Sequence, residues 1–346
     1  MAAPRTRFTL IDGLRGVAAV SVMIYHYCNG DMRPYLAQVI PAWTLFAARK
    51  GWIGVQVFFV LSGFVIAYAI GRREMTLGGA ARFALRRQVR LDPPYWVSIA
   101  LSCAWLWGWK LSLHDHRWTP SWTNVLAHVT YLQGILQIRP IQPVYWTLAI
   151  EVQFYMVFVA VLAALRRAPW LAPWALLGSG LYSLDLATHW RVPTYWFAHH
   201  WYMFALGALT WWRLDKRLHP LPHAAFIAWV AYNAFKFGRL EPAAAALVAT
   251  LITVAGVYDR LGRWLDLRWL QFLGAVSYGI YLLHPLTGAQ LRWVLTAVMG
   301  SWRSPAGALA VVTLSSIATL GCAWLLHIAV EKPAMRLAAR IRWDKR

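Results

Sequence analysis

Residues 10–27 read LIDGLRGVAAVSVMIYHY. The stretch is apolar enough to enter a bilayer, yet it carries Asp12, Arg15 and His26. Ionisable side chains at membrane depth are costly, so each is a candidate for function. From Arg15 to His26 the chain advances about three helical turns, with about 20° of residual rotation. Both therefore project from one face, roughly 16 Å apart along the axis, about half a hydrocarbon core. One helix offers a fixed cation near one membrane surface and a titratable imidazole towards the other.

The composition sets the class. Hydrophobic residues make up 60% of the 346 and charged residues 14%, against about 25% charged in soluble domains; mean hydropathy is +0.45. The expected fold is all-α: a single polytopic helix bundle spanning residues 1–346. Apolar windows place ten spans at 10–29, 51–71, 94–109, 143–165, 170–187, 194–212, 223–237, 242–258, 270–294 and 305–330. With a cytoplasmic N-terminus the inner segments hold 22 Lys and Arg and the outer ones 9, so both termini are expected in the cytoplasm. The net charge of +21 then belongs to flanks facing anionic lipid, not to nucleic-acid binding. Segment 121–138 is expected to lie on, or dip into, the outer face as a helix. The tryptophans crowd span ends as an interfacial belt. Cys28, Cys103 and Cys322 read as core thiols, with no metal or disulfide spacing.

Four places join the first helix as candidates for chemistry. Arg82, Arg86, Arg87 and Arg90 lie in FALRRQVRLDPPYW, expected as a cytoplasmic loop. They fit a positive-inside anchor and equally a phosphate clamp, because guanidinium pairs bidentately with phosphate oxygens. Glu151 falls inside the fourth span, where a carboxylate must be protonated or paired; Arg15 or His26 is its expected partner. His284 precedes Pro285, which disfavours a regular helix there. Ser277, two turns earlier on the same face, is either a site hydroxyl or a small packing residue. His199 and His200 begin an outside-to-inside span and are expected to face an outer cavity. Glu331-Lys332-Pro333 closes the last span as a cap, an anchor or a catalytic element. No metal spacing, P-loop, GxGxxG or GxSxG is present. An enzyme using a phosphorylated donor and a proton-coupled transporter both fit these residues.

Motif order separates the two. IDGLRGVAAVSVMIYHY, VFFVLSGFVI, FALRRQVRLDPPYW, VYWTLAIEVQFY, SYGIYLLHP and the closing EKP together resemble the acyltransferase-3 family of membrane O-acyltransferases over essentially the whole chain. Thr147 stands where that family commonly has Ser. The resemblance implies transfer of an acyl group, usually acetyl from acetyl-CoA, to a hydroxyl of a sugar or glycan precursor. The acceptors it implies are envelope polysaccharides such as O-antigen, exopolysaccharide or Nod factors, with macrolides as the alternative. It implies a multi-pass protein of the bacterial inner membrane. The chain resembles the stand-alone type, with no fused esterase-like domain.

On this reading acyl-CoA is a substrate and no permanently bound cofactor is expected. Arg86, Arg87 and Arg90 hold the donor phosphates. Arg15 binds the donor or anchors the helix, paired with Asp12 at i, i+3. His26 is the general base, or accepts the acyl group covalently, and Glu151 orients it. Tyr155, Ser277 and His284 complete the substrate-binding set. The remaining partners are the lipid bilayer and a glycan or lipid-linked sugar.

Overall fold

The computed structural model describes residues 7–113, 118–189 and 193–341. Among the described residues it is helical, with no strand. Helix α1 (Thr9–Cys28) leads through the short α2 (Arg33–Leu36) and α3 (Ala42–Arg49) to α4 (Gly54–Ile70) and the long α5 (Leu77–Leu113). A short α6 (Trp122–Val129) precedes α7 (Trp146–Ala164), α8 (Ala172–His189) and α9 (Phe197–Leu214). Then come α10 (Pro220–Phe237), α11 (Leu240–Val257), α12 (Arg268–Met299) and α13 (Pro305–Leu326). A π-helical turn, His327–Glu331, joins α13 to α14 (Lys332–Arg340).

A long helix thus occupies each of the ten expected spans. Among the described residues, four stretches are long and apolar enough to cross a bilayer by length and composition alone: Ala42–Ile70, Trp146–Ala164, Leu240–Val257 and Pro305–Arg340. The outer surface carries large apolar side chains such as Trp43, Phe235, Leu247 and Ile317. In water such a surface would drive association; against lipid tails it is ordinary.

Two close approaches set the frame. Gly63 of α4 and Gly207 of α9 face each other so tightly that a Cβ on either would strike the other helix's backbone carbonyl, Phe204 O or Val60 O. Small residues let helix backbones meet where lipid supplies no hydrophobic drive. Gly16 of α1 and Gly274 of α12 make a second such crossing. Helix α1 is also pinned at both ends to α12 and the turn before it. Leu10 N donates to Leu261 O (3.1 Å) and Gln271 Nε2 to Thr9 O (2.9 Å). At the far end Tyr27 Oη donates to His284 O (2.7 Å) and meets Thr319 Oγ1 (2.7 Å). The depth of every α1 side chain is therefore fixed relative to α12.

Three expectations are corrected. The expected loop 72–93 is largely helix: α5 begins at Leu77 and runs through Pro93 and Pro94. Each proline removes one backbone hydrogen bond, yet tertiary packing keeps the helix continuous. Segment 121–138 is not one helix. Only Trp122–Val129 is helical, too short to cross, opened by a capping box between Ser121 and Asn124. Beyond it His128 holds the chain: Nδ1 donates to Asn124 O (2.7 Å) and Nε2 accepts from Ile141 N (3.1 Å). Finally, Cys28 and Cys103 are buried but Cys322 is exposed.

Candidate active site

Helices α1, α4, α5, α7 and α12 surround a cavity of about 100 Å³. Its polar lining includes Arg15, Ser62, Arg87, Arg90, Glu151 and Glu331. Ser62 Oγ donates to Glu151 Oε1 (2.5 Å), and Tyr155 Oη donates to the same oxygen. Arg87 Nη2 donates to Tyr155 Oη (2.9 Å) and lies 4.0 Å from Glu151 Oε1. The Arg87 guanidinium also rests over the Tyr155 ring, 4.5 Å from its centroid. A buried ion pair is costly unless hydrogen bonds support it; here two hydroxyls serve the carboxylate, while Arg87 Nε is left buried without a partner.

This cluster sits deep. Tyr155 is midway along α7, so Arg87 and Arg90 lie against the middle of a membrane-length helix, not in a surface loop. Hydropathy windows end a span at arginines; the partner carboxylate that admits them is 64 residues away. Arg86 does not line the cavity, and Arg15 takes its place. Among the described residues Arg15 and Arg90 make no hydrogen bond and no ion pair within 4 Å, whereas Asp12 pairs with Arg7 (3.5 Å). Ser277 lines the cavity but spends its proton on Gly274 O (2.8 Å). Glu331 is buried, bonded to His327 Nδ1 (2.8 Å).

His26 lies elsewhere, exposed on the rim of a second cavity of about 280 Å³ lined also by Tyr27, Gln142, Arg292 and Ser315. Its ring centroid is 5.1 Å from that of His284, inclined at 38°. His284 is fully buried; Nδ1 lies 3.1 Å from Ile280 O, leaving Nε2 without a partner. A carbonyl neighbour makes Nδ1 the protonated nitrogen, so Nε2 carries a free lone pair. The helix continues through Pro285, against expectation; beside it the Tyr27 and Thr287 hydroxyls donate to His284 O, and Thr319 bonds both hydroxyls.

Glu151 and His26 are therefore not partners, contrary to expectation. They line different cavities: Tyr281 and Phe58 line the first with Glu151, and the His284 ring contacts both Tyr281 and His26. Tyr281 Oη bonds Thr147 Oγ1 (2.8 Å), and its ring packs edge-on against Phe58. Of the residues named from sequence, Arg15, Arg87, Arg90, Glu151 and Ser277 line the first cavity, and His26 lines the second with His284 beside it. Sequence reading missed Ser62, Tyr278 and Tyr281, although VFFVLSGFVI and SYGIYLLHP contain them; a hydroxyl in an apolar helix was the available signal.

Comparison with known proteins follows this geometry. The acyltransferase domain family, Acyl_transf_3, matches residues 8–328. A protein named putative membrane-bound transacylase BcsY, from Komagataeibacter xylinus, is 29% identical, covering 81% of this chain and 73% of its own length. The peptidoglycan O-acetyltransferase OatA of Listeria monocytogenes is 26% identical over 79% of this chain and 48% of its own. The acyltransferase MdmB of Streptomyces mycarofaciens is 25% identical over 97% of this chain and 94% of its own. No solved structure matches.

Proposed function

The chain belongs to the acyltransferase-3 family of membrane acyltransferases, and from that premise we propose that it carries an acyl group from cytoplasmic acyl-CoA to a sugar hydroxyl on the outer side. Acetyl is the proposed group, and a cell-surface polysaccharide or its precursor the proposed acceptor. The observation that carries this is the pair of cavities strung along α1 and α12, one lined by arginines and one holding His26.

In this reading ten helices cross the bacterial inner membrane with both termini in the cytoplasm. Moving Arg87 and Arg90 into the bundle lowers the inner-side count to 20 Lys and Arg, still against 9 outside. Arg15 and Arg90, which make no hydrogen bond or ion pair among the described residues, hold donor phosphate oxygens. Arg87 is committed to Glu151 and Tyr155, so it shapes the cavity and contributes less net charge. Glu151 fixes Arg87, and with it the cavity wall; it does not orient His26.

His26 then takes the proton of the acceptor hydroxyl as that oxygen attacks the thioester carbon. The carbon–sulfur bond breaks, and the proton passes to the departing CoA thiolate. His284 Nε2, an acceptor with no partner, receives a hydrogen bond from protonated His26 and steadies its charge. The pantetheine arm reaches His26 only when Tyr281 swings away from Thr147, so the resting partition keeps water from the thioester. Release of free CoA thiol from acetyl-CoA by the purified protein, accelerated by a glycan acceptor, tests the reading. Solute flux without thioester loss would establish a transporter in its place.

A further inference from the structure

A further cavity of about 390 Å³, larger than the two described above, takes no part in the scheme. It lies where α7, α9 and α11 begin and α8 ends, and its lining includes Trp52, Trp146, His199, His200, Arg239 and Glu241. From the geometry we infer that this cavity is a remote subsite for a neutral oligosaccharide, holding a sugar unit of the acceptor chain away from the reacting one. The inference rests on the acyl-transfer reading and names the acceptor's chemistry.

Three features fit a sugar. Trp52 and Trp146 offer indole faces, and the Trp146 ring lies 5.5 Å from that of His200. Aromatic faces suit the apolar C–H side of a pyranose, and the polar groups around them suit its hydroxyls. His200 is buried with Nε2 on Thr194 O (3.0 Å), and both His199 and His200 leave Nδ1 without a partner. Glu241 makes no hydrogen bond or ion pair among the described residues. His200 Nδ1 and the Glu241 carboxylate are therefore unused acceptors here, which hydroxyl donors satisfy.

Charge argues against an anion. Glu241 adds a carboxylate to the lining, and Arg239 already gives an N–H to Ala187 O. A phosphate headgroup would meet a like charge and a half-spent guanidinium. Position argues for a chain. Gly51, next to Trp52, packs onto the Ser21 backbone and Tyr25 of α1, and Tyr25 is followed by His26. The Trp52 end of the cavity thus backs onto the turn of α1 that carries His26, where a second sugar unit would extend from the reacting one.

The test is calorimetric titration of the full chain in nanodiscs with cellotetraose and chitotetraose, and with glucose and N-acetylglucosamine. At least one tetramer is expected to bind about 10-fold or more tightly than its monomer, the span gained from stacking and hydrogen bonds at one extra sugar unit. Trp146→Leu and Glu241→Gln each bring that ratio close to unity, while Trp146→Phe preserves it. Glu241→Gln, at a helix start, keeps the test alive if Trp146→Leu fails to fold. No tetramer preference in the wild type overturns the inference, as does a preference both variants retain, or binding of inorganic phosphate in place of the sugars. Thioester loss from acetyl-CoA in the same sample reports on acyl transfer independently, so either reading can fail alone.

Discussion

The Glu151 cluster and the His26–His284 pair lie on the same helical frame and are built oppositely. Around Glu151 one carboxylate oxygen gathers Ser62 and Tyr155, and Tyr155 in turn gathers Arg87. Around His26 and His284 two imidazoles face each other, one exposed and one buried with an unused nitrogen. A buried network of several charge-assisted bonds is costly to disturb, even with Arg87 Nε left unpartnered. An unsatisfied imidazole pair tolerates the arrival and departure of a proton. In the proposed scheme the first region is architecture for a donor cavity, and the second is where the chemistry takes place.

That contrast can be broken most forcefully at Glu151. Glu151→Ala strands Arg87 in the bundle and is expected to destabilise by about 3–5 kcal/mol, read as thermal unfolding in detergent; Glu151→Gln, which keeps the Ser62 and Tyr155 bonds, costs clearly less. Equal stability of the alanine variant and the wild type would make the cluster incidental. Next, Arg15→Ala and Arg90→Ala each remove a charge-assisted contact of about 1.5–3 kcal/mol, so KM for acyl-CoA rises about 10- to 100-fold with kcat little changed. If either variant binds a non-hydrolysable CoA analogue like the wild type, that arginine does not hold the donor.

A smaller effect is expected at the partition. Tyr281→Ala opens the way between the cavities and raises thioester hydrolysis in the absence of acceptor; unchanged leakage would show that Tyr281 is no barrier.

The smallest lies at the rim. Burial holds the His128 imidazole below its usual range, so it stays neutral in the fold and titrates near pH 6.5 when unfolded. Folding then binds fewer protons than unfolding below that value, and stability falls as pH drops. The loss accumulates as pH falls through that value. His128→Asn is expected to flatten the slope, and an unaltered slope would remove His128 as its cause.

Much of the frame was legible because its signals are local. The Arg15–His26 spacing needs only one helix, and hydropathy finds the apolar segments without knowledge of their neighbours. The Arg87 cluster was legible as chemistry but not as position, since it enters the bundle through Glu151 and Tyr155 on another helix. The pairing of Glu151 with His26 failed for the same reason: two candidates in one membrane were joined without knowledge that they line different cavities. His284 was found from its proline, but its ring partner was decided by Gly16 and Gly274, which set how closely α1 and α12 run. Arg86 and Arg90 share a face by spacing, yet Arg87 and Arg90 line the cavity, because α5 turns that edge towards α7.

The central claim is a division of labour between the two cavities, and His26→Ala tests it most directly. Release of free thiol from acetyl-CoA is followed in nanodiscs alongside binding of a CoA analogue to the same sample. The account predicts that the variant binds the analogue with wild-type affinity while turnover falls about 10²- to 10⁴-fold, the scale of a lost general base. A folded His26→Ala protein that releases thiol at the wild-type rate would contradict it.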